Sequence, residues 1–175
     1  MKDYRIFYRE AKGDLPRIYC DMDGVLADFM VAAKKATGTT FTQDQSDRHW
    51  ETIRNTRNFW SNMPWMRDGK QLWNYIRQYN PHILSAYTIE DPNCKPGKRR
   101  WLRKNLGYTQ NFMINLVRRR EKKNFAMKGN DNKRQPAILI DDYPKNVDQF
   151  RNAGGIGILH TSASNTISQL KRIGF

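Results

Sequence analysis

Cysteine is scarce in this sequence. Only Cys20 and Cys94 occur in 175 residues, and they form neither a C-x-x-C pair nor a Cys/His array, which argues against a disulfide framework or a structural zinc site. Long apolar runs are absent as well, and the first ten residues, "MKDYRIFYRE", are charged throughout. The sequence therefore predicts neither a secretion signal nor a membrane span, and we expect a cytoplasmic protein.

Several common catalytic motifs are also missing. The chain has no G-x-x-x-x-G-K-[ST], no H-E-x-x-H and no G-x-S-x-G, and "GGIGI" lacks the G-x-G-x-x-G spacing. These absences argue against a P-loop nucleoside triphosphatase, a zinc metalloprotease, a serine hydrolase of the α/β-hydrolase type and a dinucleotide-binding protein. The three histidines, His49, His82 and His160, are scattered, so we interpret them as structural residues.

Acidic residues are outnumbered by basic ones. The chain has 31 Lys and Arg against 17 Asp and Glu, a net charge of +14. Residues 95–134 alone carry fourteen basic residues against Glu121 and Asp131. Such a segment favours phosphate-bearing partners, and nucleic acid is one of them; a solvated surface of a basic protein is the alternative interpretation.

Short apolar runs alternate with helical patterns along most of the chain, which predicts an α/β fold with a mostly parallel, Rossmann-like sheet flanked by helices. The predicted strands are Ile18–Cys20, Ile83–Leu84, Phe112–Val117, Ala137–Ile140 and Ile156–Leu159. The predicted helices are Asp28–Thr37, Asp68–Gln78, Lys98–Leu106, Glu121–Met127, Lys145–Ala153 and Thr166–Ile173. The N-terminal "YRIFYR" is a further candidate for an edge strand.

The alternation is interrupted between the first two strands. Residues 30–79 contain no convincing strand but hold four of the five tryptophans. We therefore predict a core domain of residues 1–29 and 80–175, with a small helical cap, residues 30–79, inserted after the first strand. Most of the cap's aromatic rings should form its own core. In "NFWSNMPWM", Phe59, Trp60 and Trp65 are the better candidates to face a ligand, because adjacent large rings cannot all lie on one buried stripe.

Two aspartates follow the first strand in "IYCDMDGVLADF". Asp21 and Asp23 stand at the carboxyl end of that strand, where ligands bind in open α/β sheets. Carboxylates this close repel each other unless a cation or proton lies between them, and a hard cation such as Mg²⁺ would stabilise them. Gly24 permits a tight turn and a close approach of the backbone to an anion.

Other polar residues fall at the same edge of the predicted sheet. Ser85 ends the second strand in "PHILSAY", and Asp141 and Asp142 end a later one in "AILIDDYPKN". Lys98 stands three and four residues before Trp101 and Leu102, on the same helix face, so its ammonium should lean toward the protein. A hydroxyl, an ammonium and two carboxylate pairs thus converge on one site.

In the order Asp21-x-Asp23-Gly-Val, Ser85, Lys98 and Asp141-Asp142, these residues resemble the four motifs of the haloacid dehalogenase superfamily of phosphatases. Within it, "DMDGVLADF", the "FW" of the cap, "GKRRWLRKNLG" and "LIDDYPKN" are similar to the 5'(3')-deoxyribonucleotidases, especially the small forms carried by bacteriophages; for a phage protein, the cytoplasm would be that of the host. The resemblance covers nearly the whole chain after Pro16. It implies a phosphatase that hydrolyses nucleoside (deoxy)monophosphates.

The resemblance also implies roles for the residues. Asp21 would attack phosphorus and become an aspartyl-phosphate, and Asp23 would act as general acid and base. Ser85 would bind a phosphoryl oxygen, and Lys98 would offset its charge. The implied Mg²⁺ ligands are Asp21, Asp23 through its carbonyl, Asp141 and Asp142. The implied substrate-binding residues are Gly24, Phe59, Trp60, Trp65, Ser85, Ala86 and Arg120.

Some alternatives stay open. Lys122 or Lys123 could be the catalytic lysine in place of Lys98, which we prefer for its spacing before Trp101. The basic segment 95–134 could make the protein a phosphatase of nucleic-acid ends, and a fold of this kind could also serve only to bind nucleotides. The sequence gives no indication of the oligomeric state.

Overall fold

The computed structural model describes residues 15–40, 47–108, 110–130 and 134–175; the predicted strand "YRIFYR" lies outside these residues. Five parallel strands form one sheet in the order β3-β2-β1-β4-β5. They are β1 (Ile18–Cys20), β2 (His82–Ala86), β3 (Ile114–Val117), β4 (Ile138–Asp141) and β5 (Ile156–Leu159). All five predicted strands are present, and the predicted α/β fold class is confirmed.

The sheet is apolar because both of its faces are covered. Every residue of β1 and β4 is buried, as expected of central parallel strands between helices. The chain runs outward from β1 to β2 and β3, then returns to place β4 on the other side of β1. The strand order thus reverses beside β1, and the carboxyl ends at such a reversal form the ligand crevice of open α/β sheets.

The part of the chain that the structure describes contains six α-helices, and several of their ends lie at capping residues. They are α1 (Phe29–Thr37), α2 (Asp47–Asn55), α3 (Gly69–Ile76), α4 (Cys94–Leu106), α5 (Pro144–Asn152) and α6 (Ala163–Ile173). The Asp28 carboxylate accepts a hydrogen bond from Val31 N at the start of α1, and Ser162 accepts one from Asn165 N at the start of α6. Gly174 ends α6 in a left-handed conformation.

Short 3₁₀ helices complete the described structure: Phe59–Ser61, Arg77–Tyr79, Asn111–Met113 and Arg119–Phe125. The α-helix predicted at Glu121–Met127 is therefore wrong. Lys122 is buried and Phe125 is half-buried, and a spacing of three residues places two side chains on one side of a 3₁₀ helix. The Glu121 carboxylate accepts a hydrogen bond from Arg118 N, which closes the first turn.

Helix α6 begins at Ala163, three residues before its predicted start at Thr166, and two other helices differ further from the prediction. Helix α4 begins at Cys94, four residues before Lys98, because Pro96 lies in the first turn, where its missing N–H is not needed. Helix α2 was not predicted as a separate element. Ile53 is its one buried residue, because the helix sequence DRHWETIRN is mostly polar and offers few apolar residues for a prediction.

The segment 30–79 packs against the sheet through one continuous hydrophobic cluster. This cluster contains Trp60, Met63 and Leu72 of the segment together with Ile18 of β1 and Ile83 of β2. The division into a core and a cap domain stays a prediction. Among the described residues, no helix is both long and apolar enough to cross a bilayer.

Candidate functional site

The carboxyl ends of β1 and β4 bring two aspartates together. Asp21 follows β1 directly and its N–H donates to the carbonyl of Ile140 in β4, while Asp141 is the last residue of β4. Both are buried: Asp21 is 6% and Asp141 0% exposed. The sheet therefore takes two carboxylates out of water side by side, an arrangement that requires cationic or hydrogen-bonding partners.

A tight turn follows Asp21 and carries Asp23. The amides of Leu26 and Ala27 donate to the carbonyl of Met22, and Gly24 adopts a left-handed φ of 73°. A Cβ at position 24 would lie 2.1 Å from Asp142 Oδ2. Glycine is required here for two reasons, the positive φ and the approach of the Asp142 carboxylate.

Lys122 neutralises the buried carboxylates. Its ammonium lies 2.7 Å from Asp21 Oδ2 and 2.7 Å from Asp141 Oδ2, and the residue is 1% exposed. Burial lowers the pKa of Lys122, but the two carboxylates outweigh it and hold the pKa above its ordinary value. The ammonium is therefore charged, and it bridges β1 and β4.

Asn146, a residue that sequence reasoning missed, holds Asp141 in place. Its amide Nδ2 lies 3.0 Å from both oxygens of Asp141, and Tyr143 N donates to Asp141 Oδ1 over 2.9 Å. The only signal in the sequence was the position of Asn146 near the start of the helix after "LIDD". Asn146 lies in the first turn of α5, which Pro144 starts.

Lys98 forms a second cationic centre on the other side of Asp21. Its ammonium lies 2.5 Å from Asp23 Oδ2 and 3.3 Å from Ser85 Oγ, and it donates to the carbonyl of Ala86 over 2.6 Å. Trp60 covers it, with the ring centroid 5.3 Å from Nζ. Three of the predicted catalytic residues thus meet in space, and Lys98 faces inward as its spacing predicts.

The two lysines therefore divide between the two aspartates. Lys122 pairs with Asp21 and Lys98 pairs with Asp23, whereas Lys123 is exposed. Burial raises the pKa of Asp23 above its ordinary value against the pull of Lys98, and the charge of Asp21 adds to the rise. Asp23 Oδ1 has no hydrogen-bond partner among the described residues, so one oxygen remains available.

Three carboxylates are arranged as a metal site. Oxygens of Asp21, Asp141 and Asp142 all lie within 4.8 Å of one another. Although Asp142 as a residue is exposed, burial of its carboxylate and the charges of Asp21 and Asp141 raise its pKa to about 7. Crowded oxygen donors of one charge fit a hard divalent cation. The Asp23 side chain is not part of this carboxylate cluster, because it faces Lys98; ligation of Mg²⁺ through the Asp23 carbonyl stays a prediction.

The structure treats the three candidate ligand-facing rings differently. Phe59 and Trp60 are 6% and 5% exposed and pack with Phe29. Trp60 Nε1 also donates to Asp91 Oδ2 over 2.6 Å, so that only its face toward Lys98 adjoins the catalytic residues. Trp65 is half-buried, its ring packs at an angle of 54° against that of Trp101, and its Nε1 donates to Asn105 Oδ1.

Two further predicted substrate-binding residues, Arg120 and Ala86, have different positions. Arg120 is exposed, two residues before Lys122 on the same 3₁₀ helix. Ala86 contributes its carbonyl, which binds Lys98. The structure thus groups Asp21, Asp23, Ser85, Lys98, Asp141 and Lys122, places Gly24 and Asp142 beside them, and leaves Trp65 and Arg120 outside this group.

Comparisons with known proteins show the fold of this chain but no family for it. Searches of the sequence against protein-family models and against curated proteins found no match. Among solved structures, a hydrolase from Streptococcus pneumoniae TIGR4 is similar with a TM-score of 0.56 and 14% identity, covering 91% of this chain and 100% of its own. A hydrolase from Pseudomonas syringae has a TM-score of 0.53 and 17% identity, covering 91% and 90%. These likenesses show that the chain shares the α/β fold of the two structures; membership of the haloacid dehalogenase superfamily stays a prediction.

Proposed function

We propose that this protein is a Mg²⁺-dependent phosphatase that hydrolyses the phosphate monoester of nucleoside (deoxy)monophosphates through an aspartyl-phosphate on Asp21. The observation that carries the proposal is the separate pairing of Lys122 with Asp21 and of Lys98 with Asp23. It gives the two aspartates different environments, as a two-step mechanism with a nucleophile and an acid requires. The two structural neighbours, both hydrolases, are consistent with it.

Asp21 is the proposed nucleophile. Its Oδ1 accepts a hydrogen bond from Met22 N over 2.7 Å, which fixes the carboxylate plane, and Lys122 neutralises Oδ2. Attack on phosphorus forms the P–O bond to Asp21 as the bond to the leaving oxygen breaks. Water then attacks the aspartyl-phosphate, which releases phosphate and restores the carboxylate.

Asp23 is the proposed general acid and base. Burial, with the charge of Asp21, raises the pKa of this carboxyl, which is the direction that a general acid needs. The proton passes to the leaving oxygen in the first step, and Asp23 then takes one from the attacking water. Lys98 and Ser85 lie beside it, where they can bind a phosphoryl oxygen.

Asp21, Asp141 and Asp142 would hold the Mg²⁺, which would supply charge neutralisation at the transferring phosphoryl group. This stabilisation is needed because phosphate monoesters are among the slowest substrates to react uncatalysed, with enzymatic accelerations up to about 10²¹. One general acid supplies only about 10²–10⁴. The remainder must come from oriented charges in a site that excludes water.

The nucleotide part of the proposal rests on the sequence resemblance and on the position of Trp60 above Lys98. A panel of nucleoside 5'- and 3'-monophosphates and sugar phosphates, with detection of released phosphate, tests it. We expect nucleotides to be hydrolysed in Mg²⁺ and not in excess chelator. Turnover of sugar phosphates with none of nucleotides would contradict the substrate assignment, and no turnover of any phosphomonoester would contradict the phosphatase.

A further inference from the structure

Two cavities adjoin helix α4 outside the catalytic group. One has a volume of about 380 Å³ and lies against the first turns of α4, the end of α2 and the 3₁₀ helix at Phe59–Ser61. The other has a volume of about 340 Å³ and lies against the last turns of α4 and against α3. None of the catalytic aspartates or lysines lines either cavity.

Cationic side chains are the shared feature of the two cavities. The walls contain Arg54, Arg57 and Arg100 in the first and Lys70, Arg77 and Lys104 in the second. Arg100 and Lys104 are four residues apart on α4, so they lie on one face about 6 Å apart along the helix. They join the two cavities into one surface, which we call the basic track and define by these six residues.

The track's charges are not neutralised. Within the described ranges, ion pairs involve Lys98, Lys122 and Arg151, and none involves a residue of the track. Helix α4 itself contains no acidic residue. The carboxylate of Asp91 lines the first cavity, but Trp60 Nε1 and Asn93 N already occupy its two oxygens.

We propose that the basic track binds single-stranded nucleic acid. Six cations in series exceed what one small anion needs and suit a row of backbone phosphates. The second cavity adds the half-buried ring of Trp65, with Lys70 Nζ 5.9 Å from its centroid, and an aromatic ring in a basic groove binds bases by stacking. A base can enter a cavity only when it is unstacked from its neighbours, which favours a single strand over a duplex.

Binding on the track does not require the proposed phosphatase chemistry, and its test needs no turnover. The probe is a dye-labelled single-stranded DNA of about 20 nucleotides without terminal phosphates, followed by fluorescence anisotropy in chelator at several salt concentrations. We expect binding at about 50 mM salt with a log–log salt slope near −4, since each of six neutralised phosphates contributes about −0.7.

The double variant Arg100→Gln/Lys104→Gln removes the two cations of α4 that connect the two cavities of the track. It should make the slope shallower by about 1.4 and weaken binding at least about tenfold at low salt. The matched control Lys34→Gln/Lys35→Gln removes two exposed cations of α1 that line neither cavity, and it should bind nearly as the unmodified chain does. Thermal melting of both variants checks that each is folded.

Three results would overturn the proposal: no binding at about 50 mM salt, equal losses in the track and control variants, or equally tight binding of a duplex of the same sequence. Asp21→Asn should bind the oligonucleotide unchanged. If the unmodified chain binds the oligonucleotide but hydrolyses no phosphomonoester, the phosphatase is rejected and the track is retained; if it hydrolyses nucleotides but does not bind the oligonucleotide, the track is rejected and the phosphatase is retained.

Discussion

The ammonium of Lys122 lies 2.7 Å from the carboxylate of Asp21, and it reaches there from a 3₁₀ helix between β3 and β4. Asp23, two residues after Asp21, is paired with a different lysine, Lys98 of α4. Two neighbouring carboxylates thus have separate cationic partners from separate elements. Substitutions at the two aspartates should therefore have different effects.

Asp21→Asn should abolish turnover and the covalent intermediate while the fold is kept, because an amide of the same shape cannot attack phosphorus. Asp23→Asn should slow turnover by roughly 10²–10⁴ but still form the adduct with a good leaving group. The measurement is a burst experiment with nitrophenyl phosphate and Mg²⁺, followed by mass analysis of the peptide containing Asp21. Full activity in Asp21→Asn, or an adduct only on another residue, would overturn the mechanism.

Lys122→Met should destabilise the metal-free protein by about 3 kcal/mol, because removal of one partner leaves buried charges uncompensated. Mg²⁺ should restore part of the loss by offsetting the same carboxylates. Urea unfolding with and without Mg²⁺ measures both effects. Lys98→Met is the comparison: the side chain of its partner Asp23 is 30% exposed, so the loss should be smaller. A larger loss in Lys98→Met would contradict the assigned pairing.

Gly24→Ala should weaken Mg²⁺ binding and reduce turnover. The new Cβ would meet Asp142 Oδ2, and the backbone must also keep a φ of 73°. Gly38→Ala is a matched control, since Gly38 has a φ of 74° and nothing within 4 Å of the added Cβ. Both variants carry the backbone cost of about 1 kcal/mol. Only Gly24→Ala should lose metal affinity in calorimetric titration; equal affinities would exclude a role of Asp142 in binding.

His82 should make the protein less stable in acid. Burial lowers its pKa to about 4, against about 6.5 in an unfolded chain, so protonation favours the unfolded state. The free energy of unfolding contributed by neutral His82 is complete above pH 6.5 and declines as the pH falls toward 4. In His82→Gln, urea unfolding at about pH 7 and about pH 4.5 should therefore show a smaller difference than in the unmodified chain. An unchanged difference would contradict this prediction.

The sheet could be predicted from the sequence because each strand is a short, mostly apolar run, and the central strands β1 and β4 are buried on both faces. Ile18–Cys20 and Ile156–Leu159 were predicted at their observed bounds. The segment 119–125 was not predicted correctly, since its inward side chains depend on contacts with distant strands. Lys122 is buried because Asp21 and Asp141 attract it, and no local pattern carries that information.

The site was predictable to the extent that it follows strand ends. Asp21, Ser85 and Asp141 come at or near the ends of β1, β2 and β4, and parallel strands place those ends together. The partners of the lysines were not predictable, because a spacing before Trp101 shows that Lys98 faces inward but not which carboxylate it meets. The burial of Phe59 and Trp60 likewise depends on Phe29, to which the chain returns in three dimensions.

The continuous hydrophobic cluster shared by the segment 30–79 and the sheet has a consequence for protein engineering. Trp60, Met63 and Leu72 pack in the same cluster as Ile18 and Ile83. Excision of the segment would therefore expose apolar residues of this cluster to water. Exchange of this segment alone for the corresponding segment of another protein should therefore destabilise the fold. A successful graft would have to carry over the matching residues of β1, β2 and α4 as well.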